Sequence, residues 1–155
     1  MLKMICFDMD GTLADLYGVP HWKDKLNASD PSPYIEAQPL YPDDALRQVL
    51  MQAIERGVMV GVITWLSMDS TNAYKARTRK AKRDWLKAHG IPCQFFHGVT
   101  YGTTKADCVR CKLQEGEQAV LVDDNAKVRK GWTLGDTIDP TQGDLIEKLY
   151  ELLDL

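Results

Sequence analysis

The chain has 155 residues, a formal net charge of −3, 45% hydrophobic residues and 26% charged residues. This length fits one domain with a buried core. The weakly negative charge gives no strong bias toward nucleic acids or anionic membranes, so a nucleic-acid partner is possible but not favoured. No apolar run approaches the ~20 residues of a transmembrane helix. The first apolar run lacks a cleavage-site pattern, so we expect a cytoplasmic protein without membrane contacts.

The first predicted strand, 2–8, leads into the motif Asp8-Met9-Asp10-Gly11-Thr12. The run before the motif is apolar and short, which is typical of one buried strand. Asp8 and Asp10 would repel each other and lose hydration there. Bound Mg²⁺ removes that cost, because hard cations prefer oxygen ligands. The simpler alternative is a polar turn that closes a strand.

The stretch 15–42 is rich in proline and in aromatic residues, and we expect no long helix in it. Its prolines are Pro20, Pro31, Pro33, Pro39 and Pro42. Its aromatic side chains are Tyr17, His21, Trp22, Tyr34 and Tyr41. Two interpretations stay open: the rings stack on a base or sugar, or they pack onto the domain. We treat 15–42 as a loop-rich lid or minimal cap on a single domain, 1–155.

The next two predicted elements are a helix over 43–56 and a second strand over 58–64. The helix has an apolar stripe at helical spacing, and Gly57 is placed to end it. The strand ends in a hydroxyl side chain, Thr64, and Trp65 follows.

A longer helix is predicted over 71–89. Its buried stripe has helical spacing and comprises Tyr74, Thr78, Ala81, Trp85 and Ala88. The helix also carries a basic cluster: Lys75, Arg77, Arg79, Lys80, Lys82 and Arg83. We assign this cluster to the opposite, solvated face. Contact with nucleic-acid phosphates is the less favoured alternative.

The last third of the chain has charged residues at the start of a predicted helix and at the end of a predicted strand. After a third strand at 94–97, a helix at 104–114 has Lys105 in its first turn. A fourth strand at 119–123 ends in Asp123-Asp124-Asn125. The sequence therefore has a lysine at a predicted helix start and a second acidic pair at a predicted strand end, both after the first motif.

The C-terminal elements are predicted as an edge strand from Gly131 to Leu134 and a last helix over 142–153. Thr141 and Asp144 have the spacing of a capping box at the start of that helix.

The cysteines are Cys6, Cys93, Cys108 and Cys111. Without a secretory signal we expect no disulfides. The Cys108-x-x-Cys111 spacing fits half of a metal site or a redox pair. Because the sequence has no second close pair of this kind, we favour scattered reduced thiols over a zinc site.

Strands that alternate with helices predict an α/β fold with a parallel sheet. Ligands bind at the carboxyl ends of the strands in such sheets. Asp8, Thr64 and Asp123 all lie at carboxyl ends, so we expect them to meet at one edge of the sheet.

The ordered set of motifs resembles the phosphatase branch of the haloacid dehalogenase superfamily. The resemblance lies in the loop from Asp8 to Thr12, in Thr64, in Lys105 and in the Asp123/Asp124 pair. It implies a three-layer α/β sandwich with a central, mostly parallel sheet. The first strand would lie in the middle, between the second and the fourth, and the cap would be minimal.

The resemblance also implies a reaction. Asp8 would attack phosphorus and form an aspartyl-phosphate, and Asp10 would protonate the leaving oxygen and later deprotonate water. Thr64 and Lys105 would hold and neutralise the phosphoryl oxygens. Mg²⁺ would be held by Asp8, by the carbonyl oxygen of Asp10 and by Asp123 or Asp124.

The expected partner is a small phosphorylated substrate. The expected substrate contacts are Gly11, Thr12, Thr64, Trp65, Lys105 and Trp22. The run Pro39-Leu40-Tyr41-Pro42 locally resembles the 5′(3′)-deoxyribonucleotidases. The alternatives are a phosphatase for nucleic-acid ends or phosphoproteins, and a non-catalytic binding module.

Overall fold

The computed structural model describes residues 1–155, and its centre is a five-stranded parallel sheet. The strands are β1 (Leu2–Phe7), β2 (Ala14–Asp15), β3 (Gln38–Pro39), β4 (Met59–Leu66), β5 (Phe95–Thr100), β6 (Gln118–Val122) and β7 (Thr137–Ile138). The central sheet has the order β5-β4-β1-β6-β7, and β2 pairs with β3 in a separate antiparallel sheet. The predicted central position of the first strand, between the second and the fourth long strands, is confirmed.

Helices connect the strands. They are α1 (Trp22–Asn27), α2 (Ser32–Glu36), α3 (Ala45–Glu55), α4 (Asn72–Ala88), α5 (Lys105–Val109), α6 (Ala126–Lys130) and α7 (Leu145–Leu152). Short 3₁₀ turns occur at Leu16–Gly18 and Arg110–Lys112. None of the helices combines the length and the apolar character that crossing a bilayer requires.

Alternating residues of β1 face two hydrophobic cores, one on each side of the sheet. Ile5 and Phe7 pack in the larger core, with residues of α3, α7 and the end of α4. Met4 and Cys6 pack in the other, with residues of α5 and the turn after α6. This alternation follows from the pleat of a strand. The result is a three-layer α/β sandwich, as predicted.

Most predicted elements occur, with shifted ends. Thr71 caps α4, because its hydroxyl oxygen accepts a hydrogen bond from Tyr74 N at 3.1 Å. The helix predicted over 104–114 is a short α-helix followed by a 3₁₀ turn. The strand β4 continues two residues past Thr64, to Leu66.

The edge strand predicted from Gly131 to Leu134 is wrong. This segment is the turn after α6, where Trp132 is buried and its Nε1 donates to Ala119 O at 2.9 Å. The edge strand comes later, at β7, where Leu121 N donates to Asp136 O and Asp123 N donates to Ile138 O. Hydrogen bonds to β6 begin at the end of the predicted segment, where Ala119 N donates to Leu134 O at 3.0 Å, and the strand itself follows.

The capping box predicted at Thr141 and Asp144 is also wrong. Asp144 is itself the N-cap of α7, and its Oδ1 accepts hydrogen bonds from Ile146 N and Glu147 N. Thr141 instead hydrogen-bonds to Asp139. A carboxylate at the N-cap satisfies the free N–H groups of the first turn.

The basic cluster on α4 does not form one solvated face, because Lys82 is fully buried. Ala88, predicted in the buried stripe, is exposed. Buried residues of α4 are Tyr74, Thr78, Ala81, Lys82, Trp85 and Leu86. At 3.6 residues per turn, Lys82 lies only about 80° around the helix from Tyr74. It therefore lies within the buried arc of the helix, between Trp85 and Leu86, and not opposite to it.

The segment 15–42 folds over α4. Leu16, Tyr34 and Ala81 of α4 form a small core there. Trp85 Nε1 donates to Ala37 O at 2.7 Å in the same region. The predicted absence of a long helix is confirmed, since α1 and α2 contain six and five residues.

The packing of α3 gives a first prediction. Leu50 is fully buried, and Met51 is 38% exposed. We expect Leu50→Ala to lower the free energy of unfolding by ~2–5 kcal/mol, because it leaves a cavity in the core. Met51→Ala should change it by about 0.5 kcal/mol or less. Urea unfolding of both variants checks this, and equal effects would contradict the assigned packing.

Candidate active site

A cleft of about 360 Å³ opens at the carboxyl ends of β1, β4 and β6. Its polar lining residues are Asp8, Asp10, Thr64, Ser67, Lys105, Asp123, Asp124 and Asn125. Because parallel strands carry their carboxyl ends to one edge of the sheet, residues from distant parts of the chain meet here. The predicted meeting of Asp8, Thr64 and Asp123 at one edge of the sheet is confirmed.

Lys105 links the two carboxylates at the ends of β1 and β6. Its Nζ donates to Asp8 Oδ1 at 2.9 Å and to Asp123 Oδ2 at 2.8 Å. Lys105 and Asp123 are buried, and the side chain of Asp8 is 13% exposed. Burial lowers the pKa of Lys105, but the two carboxylates outweigh it and raise that pKa overall. The ammonium therefore stays charged in the cleft.

Asp124 lies next to the turn that follows Asp8. Thr12 Oγ1 is 3.2 Å from Asp8 Oδ2 and 3.3 Å from Asp124 Oδ1, and it accepts a hydrogen bond from Asp124 N at 3.2 Å. Gly11 has a φ of 81°, and a Cβ there would lie 2.4 Å from Asp124 Oδ2. Glycine at position 11 therefore allows the left-handed turn after Asp10 and also the close approach of Asp124.

The crowded carboxylates resist ionisation together. Burial, a side-chain hydrogen bond with Asp8 and the charges of Asp8 and Asp123 raise the pKa of Asp124 from 3.8 to about 7. Burial and the charge of Asp8 also raise the pKa of Asp123, although Lys105 opposes this. A cation that enters the cleft would relieve this repulsion.

The donor set fits a hard divalent cation. Asp8, Asp123 and Asp124 each place a carboxylate oxygen within 4.8 Å of the others. The side chain of Asp10 is not in this group, and the role predicted for its carbonyl oxygen stays a prediction. Both oxygens of Asp123 already accept hydrogen bonds, from Lys105 and from Asn125 N. Asp8 Oδ2 and Asp124 Oδ1 share only the Thr12 hydroxyl, at 3.2 and 3.3 Å, so these oxygens are more available to a cation than those of Asp123.

Asp10 pairs with a lysine that the sequence interpretation placed in solvent. Lys82 Nζ donates to Asp10 Oδ2 at 2.8 Å, to Thr64 Oγ1 at 2.7 Å and to Trp65 O at 3.2 Å. Burial raises the pKa of Asp10, against the opposing effect of Lys82. The spacing on α4 carried the signal for Lys82, since it follows the buried Thr78 by one helical turn.

Aromatic and apolar side chains form the walls of the cleft. The segment 15–42 contributes Leu16, Tyr17, Trp22, Leu26 and Tyr34. On another side lie Trp65 and Tyr101, with ring centroids 4.7 Å apart. Sequence reasoning missed Tyr101, which follows β5 without a recognisable motif.

The predicted site residues divide into three groups. The cleft is lined by Asp8, Asp10, Trp22, Thr64, Trp65, Lys105, Asp123 and Asp124. Gly11 and Thr12 lie behind it, against Asp124. His21 and Tyr41 do not line it; Tyr41 packs on the larger core.

Comparisons with known proteins show a shared fold. No protein-family model matches the chain, and no curated protein matches it. Among solved structures, it is similar to a chain in the Pnkp1/Rnl/Hen1 RNA repair complex, with a TM-score of 0.57 and 22% sequence identity. The match covers 88% of this chain and 41% of that chain, so our protein spans about two fifths of its length.

The carboxylate cluster gives a prediction about stability in chelator. The folded-state pKa of Asp124 is about 7, above its ordinary 3.8, so the folded state binds more protons between these values. The stability that the protonated carboxyl of Asp124 contributes is fully present below the unfolded-state pKa. It is lost as the pH rises through the folded-state pKa. Asp10 and Asp123 contribute with the same sign. The free energy of unfolding should therefore fall as the pH rises from about 4 to about 7.

Urea unfolding across this pH range measures the effect. Asp124→Asn should make the fall shallower, because the amide does not titrate. Mg²⁺ should oppose the fall, because it binds ionised carboxylates. Stability that rises steadily with pH in chelator would contradict the assigned crowding.

Proposed function

We propose that this protein is a Mg²⁺-dependent phosphomonoester hydrolase that works through an aspartyl-phosphate on Asp8. The observation that carries the proposal is the cluster at the carboxyl ends of β1 and β6. There Asp8 faces the cleft, contacts Lys105, and lies in a group of three carboxylates suited to Mg²⁺. Phosphoryl transfer depends mainly on positioning and on neutralising negative charge, and this cluster supplies both.

In the proposed reaction Asp8 is the nucleophile, and two contacts support this role. Lys105 holds one of its oxygens, and Thr12 lies beside the other. This fixes the carboxylate at the end of β1, while the cleft leaves room for a phosphoryl group in front of it. A carboxylate nucleophile splits the hydrolysis into two easier steps.

In the proposed reaction Asp10 transfers protons. It lines the same cleft, two residues after Asp8, and burial raises its pKa, which favours the protonated form that a general acid needs. It donates a proton to the leaving oxygen in the first step. In the second step it accepts a proton from the attacking water.

The remaining polar groups neutralise the phosphoryl oxygens. Lys105 and Thr64 line the cleft as donors. Mg²⁺ held by Asp8 and Asp124, with Asp123 behind them, would supply further positive charge to the phosphoryl group.

The walls of the cleft favour a small substrate with a planar or apolar part. We propose that 15–42 is a minimal lid of one domain, because its aromatic side chains form one wall and its core lies on α4. Trp22 packs edge-on against Tyr17, with centroids 5.1 Å apart, which holds both rings at the cleft. A nucleobase or another ring is the natural occupant.

A second candidate function is the removal of phosphate from nucleic-acid ends. It is favoured by the shared fold with a chain of an RNA repair complex. The basic residues of α4 provide a weaker argument, because several have partners already. Arg79 donates to Gly98 O, and Lys80 pairs with Asp84.

The activity test is a phosphatase screen over nucleotides, sugar phosphates, phosphopeptides and 3′-phosphorylated oligonucleotides. We expect turnover with Mg²⁺, loss of turnover in chelator, and poor replacement by Ca²⁺, whose looser coordination disturbs in-line geometry. Asp8→Asn should lower kcat by ~10³-fold or more, because an amide is a poor nucleophile.

The matched control for this variant is Asp154→Asn, which changes an exposed carboxylate near the C-terminus. It should keep wild-type activity. Asp8→Asn should remain folded by circular dichroism, since the change removes a repulsive charge. Near wild-type turnover in Asp8→Asn would refute the mechanism, and binding of phosphate esters without any turnover would indicate a non-catalytic binding module.

The substrate class is tested by two sets of variants. Base–aromatic stacking contributes ~1–3 kcal/mol, so Trp22→Ala should raise KM for a nucleoside monophosphate about tenfold. KM for a small alkyl phosphate should change much less. Lys75→Glu with Lys80→Glu should leave both KM values unchanged.

The second candidate predicts the opposite pattern. If nucleic-acid ends are the substrate, the double charge reversal on α4 should weaken hydrolysis of a 3′-phosphorylated oligonucleotide and flatten its salt dependence. Lys82 is unsuitable for this test because it is buried. Equal effects of both sets on all substrates would contradict both substrate classes.

A further inference from the structure

Lys82 is a buried cation that no step of the proposed reaction uses. Its side chain is fully buried and does not line the cleft. An ammonium group has three N–H donors, and those of Lys82 have three acceptors: Asp10 Oδ2, Thr64 Oγ1 and Trp65 O. No donor is left for a substrate.

Lys105 differs from Lys82 in this respect. It lines the cleft and has two acceptors, Asp8 and Asp123, which leaves one N–H for a phosphoryl oxygen. The two lysines therefore have different tasks: Lys105 faces the substrate, and Lys82 faces only protein atoms.

We propose that Lys82 is a positioning residue that holds the Asp10 carboxylate in the orientation needed for proton transfer. The proposal rests on the function proposed above. The terminal torsion of an aspartate is broad and has no sharp preferred value. Asp10 also lies outside the long strands, next to the turn at Gly11. An external partner must therefore fix the direction of its oxygens.

The anchor of Lys82 is rigid. Its acceptors Thr64 and Trp65 belong to β4, which pairs with β1 on one side and β5 on the other. The ring of Tyr34 covers the ammonium, with Nζ 4.7 Å from the ring centroid. Lys82 thus ties the loop that carries Asp10 to the central sheet in a place that excludes water.

The proton balance assigns no transfer to Lys82. In the first step a bond forms between Asp8 and phosphorus, the bond from phosphorus to the leaving oxygen breaks, and Asp10 gives its proton to that oxygen. In the second step a bond forms between the water oxygen and phosphorus, the bond between Asp8 and phosphorus breaks, and Asp10 takes a proton from the water. Phosphate leaves, and Asp8 is a free carboxylate again. Lys82 keeps its three protons throughout.

Proton donation matters for a poor leaving group and little for a good one. The test compares kcat/KM for an alkyl phosphate and for dinitrophenyl phosphate, since kcat/KM reports the first step. We expect Lys82→Met to lower kcat/KM for the alkyl ester by ~10²-fold or more and for the dinitrophenyl ester by less than ~10-fold. Lys80→Met is the matched control, because Lys80 lies on the same helix and is 78% exposed. It should leave both values unchanged.

A double variant keeps the test valid if Lys82→Met alone fails to fold. Asp10→Asn with Lys82→Met removes both members of the pair and leaves no buried unpaired charge. Because Lys82 acts through Asp10, the double variant should match Asp10→Asn on both esters. A double variant tenfold slower than Asp10→Asn would overturn the proposal.

The outcomes separate this inference from the proposed function. Equal losses on both esters in Lys82→Met, with wild-type turnover intact, would show a merely structural lysine and overturn the positioning role alone. No turnover of either ester by the wild-type protein would overturn the proposed hydrolase and the role of Lys82 with it.

Discussion

Crowding of carboxylates at one edge of the sheet is the constraint on which the rest of this structure depends. Asp8 and Asp123 directly follow adjacent strands, Asp10 lies two residues after Asp8, and Asp124 is the residue after Asp123. Four such groups cannot share a partly buried cleft without compensation. Two buried lysines, Lys82 and Lys105, provide half of the compensating charge. If all six groups are ionised, a charge of −2 remains, which one divalent cation would balance.

The two lysines come from opposite faces of the sheet. Lys82 is on α4, whose end packs in the larger core, and Lys105 begins α5, which packs in the other. The charge balance of the cleft therefore depends on the packing of both helical layers. Removing one partner of a buried ion pair typically costs 3–5 kcal/mol, because the other charge is left unpaired. Stability and the geometry of the site are consequently linked in this protein.

The aromatic segment 15–42 completes the cleft without adding charge. It packs on α4 through a small core, and one of its rings, Tyr34, also covers Lys82. The same segment thus forms part of the cleft wall and also helps to bury the ion pair between Lys82 and Asp10. The rings of this segment therefore divide between the wall of the cleft and the core of the domain, and their stacking on a base or sugar stays a prediction.

The sequence alone predicted an α/β fold with a parallel sheet and with Asp8, Thr64 and Asp123 at one edge, because parallel pairing brings strand ends together. The three layers, the central position of the first strand and the inclusion of Asp10 and Lys105 in the site came from the resemblance of the motifs. The sequence could not determine the partner of Asp10. Lys82 lies outside the predicted apolar stripe of α4, and the sequence pattern therefore assigned it to the solvated face. Its partner Asp10 lies 72 residues earlier in the chain, so only the folded structure shows the contact. The edge strand was misplaced for a similar reason, since the burial of Trp132 depends on β6. Only tertiary packing decides such contacts, because their energy arises between segments that the local pattern does not connect.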